Sequence, residues 1–481
     1  MSKTVPFPIN DFPYQNSDIL ALDNLSSELW DGYIQIVEDN KISYKRPGLR
    51  TKLILDSFKS IDGLYWWIKK QALIVVSDGK IFKIINESGT LVDLTGDPLT
   101  GTANRATFTD NGGYLVIANG SQMVYTDGTA STIAITDSDA PQNVTHVVFY
   151  DQYILANNVG SGQIHFANFS GVAPTDWQAL DVFTAESDPD DVVSLYVNKR
   201  TIIVIGSVST EFFFDDATTP FSRIQGATYA RGGMAPYSTV FANEIGFLFD
   251  DKRRLCRLEG VTPQILSTPF DKLIQGFETV SDATADYVTV LGRHFLLFSF
   301  PTENQTLVYD FQTDYWCRWS EFDSSTSSRN RFLGGCYAYA NGWNLHFFGS
   351  WKYSNIFTMN ENFYNDDEQK IHWEKTMGFL NHGSDQYKKI SYGLVIRIKS
   401  GVGFGDGHNE EGKLLIRYRD DGNSEWSNYR YIALKPQGKT AFLYKIRNFG
   451  SYYSRQYQFK MSDPIPLVIG ESSEVIDVND F

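Results

Sequence analysis

The chain has 481 residues, enough for two or three domains or one large all-β fold, and its 42% hydrophobic and 21% charged content excludes wholesale disorder. A net charge of −15 excludes general electrostatic affinity for DNA, which needs clustered Lys and Arg, although an acidic wall would let a duplex slide past without sticking. Three scattered cysteines (Cys256, Cys317, Cys336) signal neither a disulfide framework nor a zinc site, the start Met1–Pro6 lacks an apolar signal region, and no apolar run approaches the roughly 20 residues of a membrane span.

Residues 1–50 read as an entry segment. Prolines at 6, 8 and 13 precede a short helix from Ser17 to Trp30, then strands Tyr33–Val37 and Lys41–Tyr44, and Arg46-Pro47-Gly48 closes the segment as a turn.

From Ala72 to Asn360 one pattern recurs at roughly forty-residue spacing: an apolar, β-prone run, a turn and a second run. Ala72–Val76 turns at Asp78-Gly79 into Ile81–Ile84, and Tyr114–Ile117 turns at Asn119-Gly120 into Met123–Tyr125. Further pairs are Tyr153–Ala156 with Ile164–Ala167, Thr201–Ile205 with Glu211–Phe214, and Ile245–Phe249 with Leu255–Leu258. Phe295–Phe298 with Thr306–Tyr309 and Trp343–Phe348 with Ser354–Phe357 complete the series. The 34 Phe, 27 Tyr and 10 Trp suit pleated surfaces. The reading is all-β: a β-propeller of about seven blades over residues 51–367, with six or eight allowed by the spacing. A helix over Thr268–Phe277 interrupts it, with Thr268 as cap and Pro269 at the first helical position.

From residue 368 apolar residues alternate with Arg or Lys in Gly393–Ile398, Leu414–Arg419, Tyr429–Leu434 and Tyr457–Met461. One buried and one wet face predict an antiparallel β-sandwich over 368–470. The acidic stretch 471–481 reads as a mobile tail.

Nothing in this pattern supports catalysis. Gly407-His408-Asn409-Glu410-Glu411-Gly412-Lys413 matches most of a phosphate-binding loop, but Leu414 stands where a hydroxyl should ligate magnesium, and a strand follows instead of a helix. Tyr418–Trp426 resembles the Asp box of sialidase-like propellers without its opening Ser/Thr, and reads as a tight turn. Asp137 and Asp139, or Asp188, Asp190 and Asp191, lack calcium-loop spacing and read as turn formers. The histidines, His165 and His346 among them, are scattered, so neither a metal nor a cofactor is expected. Two basic groups interrupt the acidity: Lys41, Lys45, Arg46, Arg50 and Lys52, and Lys252, Arg253, Arg254 and Arg257. A solvated hairpin edge explains the second better than a contact with an acidic neighbour subunit or DNA.

Several of these segments, in order, resemble the tail hub, or packaged-DNA stabilisation protein, of short-tailed bacteriophages. Arg46-Pro47-Gly48 resembles the family's turn ahead of the first blade, and Ala185-Glu186-Ser187-Asp188-Pro189-Asp190 its Ala-Glu-Ser-x-Pro-Asp segment. Gly206-Ser207-Val208-Ser209-Thr210-Glu211 follows as in the family. Gly233-Met234-Ala235 is similar to its Gly-Ile-Ala turn, and Tyr309-Asp310 with Trp316-Cys317 to a later hairpin. These matched positions are expected to be structural. The loop Gly401–Gly412 and the end after Pro464 have no counterpart.

The resemblance implies a non-catalytic virion protein, made in the host bacterial cytoplasm and placed in the virion tail as a ring, a homohexamer, below the portal. Its partners would be further copies of itself, the tail adaptor protein, and tail fibre, tailspike or needle proteins, with double-stranded DNA passing non-specifically through the lumen. It would extend the DNA channel and retain packaged DNA. The alternatives are a carbohydrate-binding or glycan-cleaving propeller of a phage tail, suggested by the Trp and Tyr content, and a cytosolic propeller scaffold.

Overall fold

The computed structural model describes residues 3–10, 27–55, 59–101, 105–185, 190–216, 221–266, 268–401, 411–436, 438–439 and 442–479. By its internal contacts the chain divides into two units, one of Met1–Arg50, Gln305–Arg331 and Asn360–Phe481, the other of Thr51–Asn304 and Phe332–Met359.

The second unit is built from short antiparallel sheets whose hairpins follow from local chemistry. Asp78 (φ 51°) and Gly79 (φ 74°) adopt the left-handed conformation a two-residue turn requires. Ala72–Ser77 then pairs with Gly63–Trp67 on one side and Lys80–Ile84 on the other, and Leu91–Asp93 completes four strands. Four more four-stranded sheets follow, beginning at Thr107–Asp110, Val147–Tyr150, Val192–Asn198 and Val240–Ala242. The hairpin Thr284–Val290 with Arg293–Phe300 comes next. In the last sheet Gly334–Ala340, Leu345–Ser350 and Asn355–Asn360 take as fourth strand Gly48–Ile54, from before the first sheet.

Hydrophobic cores lie between successive sheets. Leu73 and Val75 pack with Cys336, Ala338, Phe347 and Ile356 of the last sheet. Ile74 and Val76, one residue along, pack with Leu115, Ile117 and Val124 of the next. A strand with both faces covered needs an unbroken apolar run, which is why Ala72–Val76 does not alternate. Val116 and Ala118 face Ile154 and Ala156, Leu155 faces Leu195 and Val204, and Ile203 and Ile205 face Leu248 and Leu258. This unit is a β-propeller, and the fold class is all-β.

The first unit holds two sheets. One contains Gly32–Val37, Asn40–Lys45, Val468–Asn479, Lys388–Lys399 and Leu443–Tyr452, with Lys3–Phe7 also paired to Val468–Asn479. The other includes, in order, Gln305–Asp310, Tyr315–Arg318, Glu28–Trp30, Trp373–Thr376, Arg455–Met461, Lys413–Asp420 and Arg430–Ala433. Aromatic rings join the two: Tyr457 lies 5.1 Å from Phe7 and 5.6 Å from Phe449, centroid to centroid.

Three local readings differ from what is observed. Glu28–Trp30 is a strand rather than the end of a helix, while residues 11–26 lie outside the described residues. The helix near Thr268 is confined to Asp271–Gln275. The acidic end, read as mobile, forms strand Val468–Asn479, which pairs with Lys388–Lys399 as well as Lys3–Phe7 and Asn40–Lys45. Its Ile469 and Ile476 are fully packed and supply the apolar anchor that composition obscured. In the first basic group, Lys45 and Arg46 are buried.

Candidate functional site

In the first unit the Arg46-Pro47-Gly48 turn is a buried charge junction. Arg46 leaves strand Asn40–Lys45 only 1% exposed. Its Nε donates to Asp31 Oδ1 at 2.9 Å, Nη1 to Asp366 Oδ1 at 2.9 Å, and Nη2 to Asp366 Oδ2 at 2.5 Å and the Ser320 carbonyl at 2.8 Å. Asp31 also receives Arg329 Nη1 at 2.8 Å and Ser320 Oγ at 2.6 Å, and Arg329 Nη2 reaches Glu374 Oε2 at 3.2 Å. Burial opposes the Arg46 charge, but Asp366 and Asp31 outweigh it and hold the guanidinium pKa above its ordinary value. Gly48 is fixed by space, since a Cβ there would lie 1.9 Å from the Asn365 carbonyl oxygen.

The neighbouring Lys45 donates to the Asp463 carbonyl at 2.8 Å. Burial, reinforced by the Arg46 charge, brings its pKa down to about 7 against the pull of Asp366, Asp31 and Asp463. Tyr309, Asp310 and Trp316, also in this unit, form a hairpin. Tyr309 hydroxyl donates to Asp314, its ring lies 5.0 Å from Trp316, and Asp310 Oδ1 accepts the Gln312 N–H at 3.0 Å.

In the second unit the matched glycines meet in one set of turns. Gly206 N–H donates to the Ser209 carbonyl, Ser207 N–H to the Asp191 carbonyl, and Gly233 N–H to the Gly206 carbonyl. Asp190 Oδ2 accepts the Val208 and Ser209 N–H groups at 2.8 and 2.9 Å and stands where a Cβ on Gly206 would go. Buried Glu211 pairs with Arg223 at 2.7 Å. Glu186, Ser187 and Pro189 lie outside the described residues. Asp250, next to Gly233 across an isolated bridge, takes Arg254 Nε and Nη2 at 3.0 and 2.7 Å. These bonds overcome burial and hold its carboxyl below the usual range. Arg254 and Arg257 are thus tied to carboxylates of their own hairpin, Asp250 and Glu259, whereas Arg253 donates to the Phe277 carbonyl beyond it.

The sequence gives no local sign of the cluster inside the ring of first strands. Those strands follow one another around the unit: Gly63–Trp67, Thr107–Asp110, Val147–Tyr150 and Val192–Asn198, then Val240–Ala242, Thr284–Val290 and Gly334–Ala340, which returns to Gly63–Trp67. Arg105, just ahead of the second, reaches across to Asp286 and to the Gly335 carbonyl, two other members of the ring. Burial pushes the Asp286 carboxyl up against the pull of Arg105; burial likewise opposes the Arg105 charge, but Asp286 outweighs it. His146 stacks 5.3 Å from Tyr237 and lies 3.2 Å from the Tyr196 hydroxyl. Burial pushes its imidazole down to about 3, so the ring is neutral. This centre holds a compensated ion pair and neutral rings, with no activated nucleophile or free acid–base pair among the groups named.

The weaker motifs resolve into turns. Asp421 (φ 54°) and Gly422 (φ 74°) make a tight turn whose Asp421 Oδ1 accepts the Tyr453 and Ser454 N–H groups at 2.8 Å. Asp137 accepts the Asp139 and Trp177 N–H groups at 2.9 and 3.0 Å. Residues 402–410 of the glycine-rich loop lie outside the described residues. Among the described residues no group of three or more His, Cys, Asp and Glu side chains is placed to hold a metal ion.

No curated protein matches the chain. Solved structures that it resembles include YCF48 from Cyanidioschyzon merolae, with TM-score 0.42 and 13% identity over 65% of this chain and 99% of that one. Others are the N-terminal domain of Nup159 (0.41, 11%, 70% and 99%) and the extracellular domain of the putative one-component system BT4673 from B. thetaiotaomicron (0.46, 10%, 86% and 62%). A family model described as "Bacteriophage P22 Gp10, beta-propeller" matches residues 44–364, which span the Arg46 turn, the Gly206 and Gly233 turns and the Tyr309 hairpin. The chain belongs to this phage-stabilisation family, the tail-hub β-propellers, and is a structural protein of the virion tail.

Proposed function

We propose that this chain forms the tail hub, or nozzle, of a short-tailed bacteriophage: a ring of copies, six by the family resemblance, below the portal and adaptor. In that place it extends the DNA channel, retains the packaged genome and anchors fibres, spikes or a needle plug. The family match over residues 44–364 carries the reading. The ion pair inside the ring of first strands supports one detail of it. With Arg105 spanning the inner strands to Asp286, the duplex runs between copies of the chain and not through any single propeller. The net charge of −15 suits a channel wall that repels phosphates and lets DNA slide.

Immunogold labelling of purified phage particles with antibody to this chain tests the proposal. Label confined to the tail below the capsid vertex supports it; particles that lack the chain, or carry it only on the capsid shell, refute it. Turnover of cell-wall glycans by the purified protein would contradict a purely structural role.

A further inference from the structure

Within the first unit, one sheet face gathers cations and aromatic rings in an otherwise acidic protein. Strand Lys413–Asp420 turns Leu414 and Ile416 inward and Arg417 and Arg419 outward. Both guanidiniums sit over the Trp426 ring, 4.7 and 4.8 Å from its centroid. Arg417 also lies 4.8 Å from Tyr429, and Arg419 5.6 Å from Phe379. Each Nε is tied down, Arg417 to Gln458 Oε1 and Arg419 to Gln456 Oε1, both at 2.6 Å.

What these two arginines lack is a counter-ion. Arg46, Arg329 and Arg455 each bind at least one carboxylate in the same unit. Among the described residues Arg417 and Arg419 have no carboxylate partner, although they stand two residues apart and repel one another. Burial and the Arg417 charge together lower the Arg419 pKa. Held at Nε, each presents its paired Nη groups as an unused fork, the geometry that grips a carboxylate with two parallel bonds. Beside them Arg430–Ala433 is the edge strand of its sheet, and Tyr429 and Tyr431 are 41% and 61% exposed. Arg, Trp and Tyr clustered at an open sheet edge are the composition of a protein-interface hot spot. Two guanidiniums already lie against the indole, which favours a carboxylate-bearing partner over a stacked sugar or base.

We propose that the Arg417–Trp426–Arg419 cradle, with Tyr429 and Tyr431 beside it, receives a carboxylate-bearing surface segment of a second copy of this chain. The proposal rests on the ring reading above. With 57 acidic against 42 basic side chains, another copy supplies the complementary charge. A ring also requires two different surfaces to meet at each contact, as a basic patch against an acidic one does.

Sedimentation velocity of the purified full-length chain over a concentration series, at low and high salt, tests this. The unaltered chain should self-associate, more tightly at low salt. The double substitution Arg417→Gln with Arg419→Gln should raise the midpoint concentration roughly tenfold or more, and the double Lys version should restore part of the loss. Tyr431→Ala, which leaves both arginines intact, should act in the same direction and serves if the double variant fails to fold. A chain that stays monomeric at every concentration, or variants that associate as the unaltered chain does, overturn the proposal. So does duplex DNA binding that depends on the two arginines in the absence of self-association. Tail labelling with no such association keeps the tail-hub reading and sinks this one alone.

Discussion

Arg105 and Asp286 are ion-paired inside the ring of first strands, although 181 residues separate them in sequence. Their side chains are only 15% and 14% exposed, so each charge depends on the other. Asp286→Asn should therefore destabilise the propeller by about 3–5 kcal/mol, because it strands a buried guanidinium. Replacing both with apolar residues of similar volume should recover most of that loss. Urea unfolding midpoints of the two variants check the pair, and equal loss in both would show that packing matters more than charge there.

Gly48 offers a steric test. Gly48→Ala drives a Cβ into the Asn365 backbone and should prevent soluble folding or cost several kcal/mol, whereas Gly450→Ala, at φ 73° with open space around it, should cost only about 1–2 kcal/mol. Comparable melting temperatures for the two variants would contradict the close approach.

Lys45 gives a pH signature. Its folded pKa of about 7 lies below the unfolded value of about 10.4, so the unfolded chain binds more protons between those limits and stability rises with pH across that window. The slope attributable to this group is at most about 1.4 kcal/mol per pH unit. Lys45→Met should flatten the dependence of the urea midpoint between pH 7 and 10 relative to the unaltered chain; an unchanged slope would contradict a depressed lysine.

His146 acts at the acid end. With the folded imidazole near 3 and the unfolded one near 6.5, protons bind the unfolded chain preferentially in that interval, and stability falls as pH drops through it. His146→Phe, which keeps a ring beside Tyr237, should shift the acid-unfolding midpoint downward. Acid titration followed by tryptophan fluorescence would show it, and an identical midpoint would rule the histidine out.

Much of the propeller was legible because its determinants are local. Apolar runs such as Ala72–Val76 must be buried on both faces, and Asp78-Gly79 can turn only one way. The first unit was harder, since it assembles from three stretches far apart in sequence. Nothing near Gly32–Val37 announces that Val468–Asn479 will share its sheet. Charge is silent for a similar reason: nothing beside Arg46 in the sequence shows that Asp31 and Asp366 will be brought to it. Arg105 is a lone arginine before a strand, and only the closed ring reveals Asp286 opposite it. The Arg417–Arg419 alternation was visible, but the missing counter-ion was not.

The last propeller sheet takes its outermost strand, Gly48–Ile54, from the opposite end of the domain's sequence. During synthesis that strand leaves the ribosome roughly 300 residues before its partner Asn355–Asn360, and at about 5–20 residues per second it waits on the order of 15–60 seconds with an open edge. Truncation by a premature stop anywhere before Asn355 therefore leaves an unclosed, aggregation-prone propeller. Only chains translated past that point can close the ring, so the join selects subunits that carry the whole propeller before assembly.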